Sequence, residues 1–143
     1  MSLKGTETLA CLMKAFAGES QARQRYTMYS KVAQKEGYLQ IARVFAETAR
    51  NEERHAKIFF THMQNGLAGE KFAFPVEITA EYPVGIGTTQ ENLTYAAEGE
   101  DEEHGVLYPK FAEIAQNEGF KLIAHSFRQL VKLKHIIITA IST

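Results

Sequence analysis

The sequence predicts an all-α protein, a four-helix bundle with a long crossover between helices 2 and 3. Apolar residues recur at spacings of three and four in four segments, which is the period of amphipathic helices. The predicted helices cover about residues 6–35, 39–64, 89–117 and 120–141. A chain of 143 residues is long enough for one domain with a sizeable core, so we expect a single domain over residues 1–143.

The first helical pair is indicated by its apolar stripes and by its ends. Thr6 with Glu7 suits the start of helix 1, and Gly37 suits the left-handed residue that follows a helix. Helix 2 stops at Asn65-Gly66. Core-type residues follow the helical period in helix 1 at Leu9, Leu12, Met13, Phe16, Tyr26 and Tyr29, and in helix 2 at Ile41, Val44, Phe45, Ile58 and Phe59.

The second pair follows a connection that is long for a compact domain. Residues 66–88 hold two of the three prolines and several glycines, which suits a helix 2 that crosses to a non-adjacent helix 3. Helix 3 is expected to start near Thr89 and to kink at Pro109. The turns Lys35-Glu36-Gly37-Tyr38 and Asn117-Glu118-Gly119-Phe120 are alike, which indicates two related helix pairs.

The composition excludes several classes of protein. A net charge of −1 gives no basic field for nucleic acid, and no apolar run approaches the roughly 20 residues that span a bilayer. The single cysteine, Cys11, excludes a disulfide framework and a cysteine-based metal site within the chain. Because the N-terminus has no signal-peptide core, we expect a cytoplasmic protein.

Glutamates and one histidine at helical spacing are the candidate functional residues. Glu19 stands in helix 1 where the apolar stripe calls for a core residue. Glu52 and His55 form a Glu-x-x-His pair on one face of helix 2, and Glu100 and Glu103 share a face of helix 3. Buried carboxylates are costly unless a cation neutralises them, and helical bundles use such residues to bind two iron or manganese ions.

Each residue also has an ordinary interpretation. A lone glutamate at such a position is more often an exposed flank or part of a salt bridge, but three such elements on successive helices favour a metal site. His62 and His104 are expected at the surface or behind the ligands, and His125 has no partner at metal spacing. Tyr26 and Tyr108 are either core residues or donors of hydrogen bonds to metal-binding carboxylates.

At these residues the chain resembles the rubrerythrin family of ferritin-like non-haem di-iron peroxidases. The resemblance covers about residues 3–130 and rests on these segments: Leu3-Lys4-Gly5-Thr6, Lys14-Ala15-Phe16-Ala17-Gly18-Glu19-Ser20-Gln21-Ala22, Glu52-Glu53-Arg54-His55-Ala56, Ala97-Glu98-Gly99-Glu100 and Tyr108-Pro109-Lys110-Phe111-Ala112. It implies a ferritin-like bundle and an iron-binding set consisting of Glu19, Glu52, His55, Glu100 and Glu103. Glu103 would be the additional carboxylate that distinguishes rubrerythrins from other di-iron bundles.

The resemblance also implies an activity in oxidative-stress defence. Hydrogen peroxide would be reduced to water at two iron ions, with the glutamates holding the metals as they change oxidation state. An external electron donor such as a rubredoxin would supply electrons. Homo-oligomers are expected, among them a dimer that exchanges helices. Manganese, zinc or lower occupancy are the alternatives for the metal content.

The chain departs from the family pattern in two ways. We expect no C-terminal rubredoxin domain, and the Glu-x-x-His pair expected on helix 4 is replaced by Lys134 and Ile137. The β-branched run Ile136-Ile137-Ile138-Thr139 is also a poor choice for a helix. A neighbouring reading frame of residues 132–141 can encode glutamate and histidine at those two positions. We therefore favour a frameshift near codon 131 over a short divergent homologue.

Two classes of function follow from these departures. The first is a peroxide-reducing oxidoreductase. The second is a metal-poor, catalytically impaired bundle or an iron-binding module, in which the Lys134 ammonium contacts Glu19 or Glu100 in place of a metal. Ferritin-like iron storage is a weaker third class, because cage assembly cannot be read from the sequence.

Overall fold

The computed structural model describes residues 1–132 and confirms the all-α class. Its α-helices are α1 (Glu7–Lys35), α2 (Leu39–Gly66), α3 (Thr89–Glu102), α4 (Tyr108–Asn117) and α5 (Lys121–Lys132). A π-helical segment, Glu103–Leu107, joins α3 to α4, so these three form one continuous rod. The architecture is four rods in antiparallel pairs, with residues 67–88 as an extended crossover that forms no strand.

The sequence predicted a third helix over about residues 89–117 with a kink at Pro109, but it did not predict the π-helical segment that the structure contains. The backbone N–H of Tyr108 bonds the carbonyl of Glu103, five residues earlier, which is the π-helical pattern. Such turns usually mark one extra residue within an α-helix. Pro109 follows directly, in the first turn of α4. Proline is tolerated there because a backbone N–H in the first turn often has no helical hydrogen-bond partner.

The two helix pairs are tied together by a reciprocal pair of caps. Glu36, just after α1, accepts a hydrogen bond from the backbone N–H of Thr89 at the start of α3 (2.8 Å). Glu118, just after α4, accepts from the backbone N–H of Thr8 at the start of α1 (2.6 Å). Negative side chains satisfy the open N–H groups of a helix N-terminus and suit its positive dipole end. The glycine after each glutamate has a left-handed φ, +87° at Gly37 and +91° at Gly119.

The apolar core of the described chain is divided into two clusters. The large cluster joins all four rods and has as its bulkiest members Leu3, Leu12, Phe59, Met63, Tyr108, Phe111 and Phe127. The small cluster joins α1, α2 and α3 and consists of Ala22, Tyr26, Tyr29, Ala33, Ala42, Phe45, Ala49 and Ala96. Within residues 1–132 no helix combines the length and apolarity needed to cross a bilayer.

Candidate metal centre

A polar layer lies between the two apolar clusters. In α1, Glu19 stands one turn after Ala15 of the large cluster and one turn before Ala22 of the small cluster. In α2, Glu52 follows Ala49 of the small cluster and precedes Phe59 of the large one. Glu19, Glu52, His55 and Glu100 are all buried. Ionised carboxylates at this depth are strongly disfavoured without a compensating cation, so this layer is the candidate site.

The first helical pair supplies a compact group of three donors. His55 Nδ1 lies 3.5 Å from Glu19 Oε2 and 3.8 Å from Glu52 Oε2. Donor atoms of these three residues all fall within 4.8 Å of one another. Glu19 Oε2 is buried and accepts no hydrogen bond from any residue within 1–132. Two carboxylates and an imidazole are donors that suit iron, and their arrangement therefore fits a metal ion.

The third rod brings a histidine close to two further carboxylates, although the donor atoms of these three residues do not form a compact group like the first. Glu100 is buried near the end of α3, and Glu103 is partly buried at the start of the π-helical segment. His104 Nε2 lies 3.1 Å from Glu100 Oε2 and 3.7 Å from Glu103 Oε1. The other ring nitrogen, Nδ1, lies 2.8 Å from the carbonyl oxygen of Leu130 in α5.

Two buried tyrosines orient the carboxylates from the opposite pair. Tyr26 of α1 donates a hydrogen bond to Glu100 Oε1 (2.7 Å), and Tyr108 of α4 donates to Glu19 Oε1 (2.5 Å). Burial raises the pKa of both phenols, and the nearby glutamates raise it further. The phenols therefore stay protonated and remain donors. Each tyrosine fixes one oxygen of its glutamate and leaves the other oxygen facing the polar layer.

The carboxylates themselves are perturbed when no metal is bound. Burial raises the pKa of Glu19 to about 7, although the contacts with Glu103 and Tyr108 lower it. Burial and the negative charge of Glu19 raise the pKa of Glu103 well above its ordinary range. Glu19 and Glu103 cannot both ionise at low cost in the absence of a cation. Such a pair of perturbed carboxyl groups is expected at a site that binds cations.

A cavity of about 760 Å³ connects the surface with this layer. Its walls come from α1, from crossover residues 79–85 and from the third rod, and its lining includes Tyr26, Glu100, Glu103 and Tyr108. Tyr82 of the crossover covers one side and donates a hydrogen bond to the backbone carbonyl of Lys14 (3.0 Å). Small solutes can therefore reach the second group of carboxylates.

His104 and the π-helical segment were the features that residue spacing could have revealed. Tyr26 is seven residues after Glu19, whereas Tyr108 is eight residues after Glu100. The single extra residue falls where the π-helical segment lies, and it keeps Tyr108 equivalent to Tyr26. Of the other histidines within residues 1–132, His62 contacts Ser126 and His125 contacts Gln129. Lys134 and Ile137, with the predicted contact of Lys134, lie outside the described residues.

Comparison with known proteins places this geometry in context. The chain is 54% identical to rubrerythrin-1 of Clostridium acetobutylicum over 134 residues, which are 93% of this chain and 67% of that protein. It is also 54% identical to the rubrerythrin of Porphyromonas gingivalis, covering 93% of this chain and 63% of the relative. The chain thus spans about two thirds of the length of these relatives.

A solved structure of nigerythrin in a partially reduced state has the same fold. It superposes with a TM-score of 0.71 at 32% identity, covering 88% of this chain and 62% of nigerythrin. The rubrerythrin family model matches residues 10–133, which include every one of the five candidate ligands. The chain belongs to the rubrerythrin family.

Proposed function

We propose that this protein reduces hydrogen peroxide to water at a non-haem di-iron centre. The observation that carries the proposal is the first group of donors. There the buried Glu19 Oε2, which accepts no hydrogen bond from any residue within 1–132, faces His55 Nδ1 at 3.5 Å. Glu19, Glu52 and His55 would hold one ion, and Glu100 and Glu103 would hold the second. When bound, two ferrous ions supply the two electrons that reduce one peroxide, together with two protons, to two molecules of water.

The chain's own residues would orient the ligands and admit the substrate. Tyr108 and Tyr26 hold Glu19 and Glu100 by one oxygen each, so that the other oxygen stays directed at the layer. The cavity beneath residues 79–85 gives peroxide a route to Glu100 and Glu103. The apolar clusters border the layer on two sides and keep water away from it there, which strengthens electrostatic interactions inside it.

The remaining parts of the proposal come from family membership. An external donor of the rubredoxin type would return the irons to the ferrous state, and the role would be defence against peroxide in the cytoplasm. Homo-oligomer formation and helix exchange stay predictions from the sequence.

The test combines metal content with a single turnover. Full-length protein is loaded with ferrous iron without oxygen, desalted and subjected to elemental analysis; two irons per chain are expected. Adding hydrogen peroxide should then oxidise two irons per peroxide. Glu52→Ala should lose both iron and reaction, whereas Glu53→Gln, at an exposed neighbour paired with Arg23, should keep both. A chain that retains no iron would favour the metal-poor bundle instead.

A further inference from the structure

The cavity beside Glu100 and Glu103 is much larger than hydrogen peroxide requires. Its volume is about 760 Å³, which falls in the range of about 300–1,000 Å³ that small-molecule sites occupy in proteins. A water molecule takes up about 30 Å³ in the liquid, and hydrogen peroxide, which has one more oxygen atom, needs roughly twice that volume. The space next to the two carboxylates can therefore hold a molecule with a sizeable organic part.

Crossover residues 79–85, which cover the cavity, are held in place by two tyrosine hydroxyls. Tyr82 donates a hydrogen bond to the backbone carbonyl of Lys14 in α1 (3.0 Å), and Tyr29 of α1 donates one to the carbonyl of Gly85 (2.7 Å). Gly85 also lies against Tyr95 of α3, because a Cβ atom built on this glycine would be 3.4 Å from the ring. The crossover is thus fixed between α1 and α3, and the cavity beneath it is a well-defined part of the fold.

The walls of the cavity suit an apolar or aromatic substituent. Five of the six tyrosines of the protein line it: Tyr26, Tyr29, Tyr82, Tyr95 and Tyr108. Apolar side chains, among them Leu107 and Phe111, also contribute to the lining. Tyrosine rings offer large apolar surfaces against which an aromatic group packs favourably. Sites for small molecules typically combine such walls with a few polar groups that fix the orientation of the ligand.

Neither sign of charge dominates the rest of the lining. Besides Glu100 and Glu103, it includes three cationic side chains and three exposed acidic ones, which are Lys14, Arg25, Lys110, Glu81, Glu98 and Glu102. Exposed charges of both signs are screened by water and salt, so they give no net preference for an anionic molecule. An uncharged substituent therefore fits the cavity best.

We propose that the protein also reduces organic hydroperoxides that carry an uncharged alkyl or aryl substituent, and that the cavity under residues 79–85 holds this substituent. The inference rests on the proposed di-iron function. The hydroperoxide group would lie at the end of the cavity formed by Glu100 and Glu103. Its O–O bond breaks as it takes up two electrons, one from each of two ferrous ions that become ferric, and two protons from solvent. The products are one alcohol and one water molecule.

Cumene hydroperoxide, an uncharged hydroperoxide with an aryl group, is the test substrate. Full-length protein loaded with ferrous iron is mixed with it in the absence of oxygen. Iron oxidation is followed by stopped-flow absorbance, and the products are quantified by chromatography. We expect one cumyl alcohol for every two irons oxidised. Dissociated ferrous iron cleaves the same bond with one electron and yields acetophenone, so the product distinguishes the two reactions.

Gly99→Phe tests whether the cavity holds the substituent. Gly99 of α3 lines the cavity, and a Cβ atom built there meets no neighbouring atom of the described chain within 4 Å, so an added ring has room. The variant should lower the ratio of the oxidation rate with cumene hydroperoxide to the rate with hydrogen peroxide by about 10-fold or more, as a steric mismatch in an apolar pocket does. Gly69→Phe, at an equally open but exposed glycine outside the cavity, is the matched control and should leave this ratio unaltered.

Binding of the product to metal-free protein gives a measurement that does not depend on turnover. Saturation-transfer NMR should show cumyl alcohol bound to wild type and to Gly69→Phe. Gly99→Phe should bind it at least about 10-fold more weakly, for the same steric reason. Unchanged helical circular dichroism in both variants verifies that the fold is retained.

The outcomes separate this inference from the proposed function. Iron oxidation by hydrogen peroxide but not by cumene hydroperoxide would overturn the inference and leave the di-iron proposal intact. Acetophenone as the main product, or a rate ratio that Gly99→Phe leaves unchanged, would also overturn it. Wild-type protein that reacts with neither peroxide would overturn both proposals.

Discussion

The two helical halves of this protein use the same plan but place their ionisable groups differently. In each half the first rod carries a Gly-Glu pair, a tyrosine and a Glu-Gly turn, at Glu19, Tyr26 and Glu36 and again at Glu100, Tyr108 and Glu118. The first half adds Glu52 and His55 on its second helix. The second half adds Glu103 and His104 on its first rod, where one extra residue forms a π-helical segment.

This difference shows how an insertion can supply side chains to a buried site. In an α-helix, residues three and four apart share a face, so Glu100, Glu103 and His104 can all point to one side. The extra residue lets the rod present these three and still bring Tyr108 back into register with Glu19. The two halves can therefore both contribute carboxylates to one layer without carrying them at equivalent positions.

The largest expected effect concerns the buried carboxylate of the first half. In metal-free protein the folded state raises the pKa of Glu19 from 4.5 to about 7, mainly through burial. Below pH 4.5 the carboxyl is protonated whether the chain is folded or unfolded; above about pH 7 it is ionised in both. Stability should therefore fall as pH rises from about 4.5 to 7, by roughly 3 kcal/mol from this group.

Urea denaturation of chelator-treated protein at pH 5 and pH 8 measures this change in the free energy of unfolding. Glu19→Gln should remove the part of the pH dependence that Glu19 contributes and leave the part that Glu103 contributes, whereas Glu53→Gln, at the exposed face of α2, should retain both. If the free energy of unfolding changed equally between pH 5 and pH 8 in Glu19→Gln and in wild type, burial of Glu19 would not affect the stability of the metal-free protein.

The next prediction makes the second half equivalent to the first. Because the offset of 82 takes Glu52 and His55 to positions 134 and 137, the double variant Lys134→Glu with Ile137→His restores the Glu-x-x-His pair there. We expect it to bind the second iron about 10–100-fold more tightly than wild type, the range found when metal sites gain or lose supporting groups. Chelator competition measures the change.

Lys121→Glu with Leu122→His, at the exposed start of α5, is the composition-matched control and should leave the affinity unaltered. No gain from the restored pair would indicate that positions 134 and 137 do not approach the second group of carboxylates.

The fold was predictable because its signals are local, whereas part of the candidate site depends on packing. Apolar periodicity and the glycines after α1 and α4 indicated an all-α bundle, and the structure confirms that class. Glu19 was noticeable because a charged residue interrupts an apolar stripe. His104 was assigned to the surface or to a supporting role, since its neighbours Glu100, Glu103 and Leu130 meet only when α5 packs against the third rod. The ligand roles themselves stay predictions.

The two tyrosines allow a matched comparison between the halves. Tyr108→Phe removes the hydrogen bond to Glu19, and Tyr26→Phe removes the hydrogen bond to Glu100. Neither substitution changes the shape of the ring. Each should weaken iron binding by about 10-fold, the lower end of the loss for groups behind the ligands. Tyr108→Phe should weaken the ion held by His55, and Tyr26→Phe the ion held near Glu103. Chelator competition with each variant would contradict this pairing if both tyrosines affected the same ion.

The smallest effect concerns the caps that join the halves. Burial raises the pKa of the Glu118 carboxyl, but hydrogen bonds from the Thr8 hydroxyl and from the backbone N–H groups of Thr8 and Glu7 lower it overall. Glu118→Ala should therefore reduce the free energy of unfolding by about 1 kcal/mol at pH 7, as the loss of a helix cap does. The contribution of the carboxylate should disappear as pH falls through its lowered pKa, because protonation removes the negative charge in the folded state.

Glu36→Ala makes the equivalent change at the start of α3 and should act in the same direction. Measuring both variants in urea, singly and together, decides whether the halves unfold as one unit. If they do, each variant shifts a single transition, and the double variant shifts it by about the sum, since the two caps share no partner. Two separate transitions would mean that each half unfolds independently and that the caps only join them. The two halves would then separate at the polar layer.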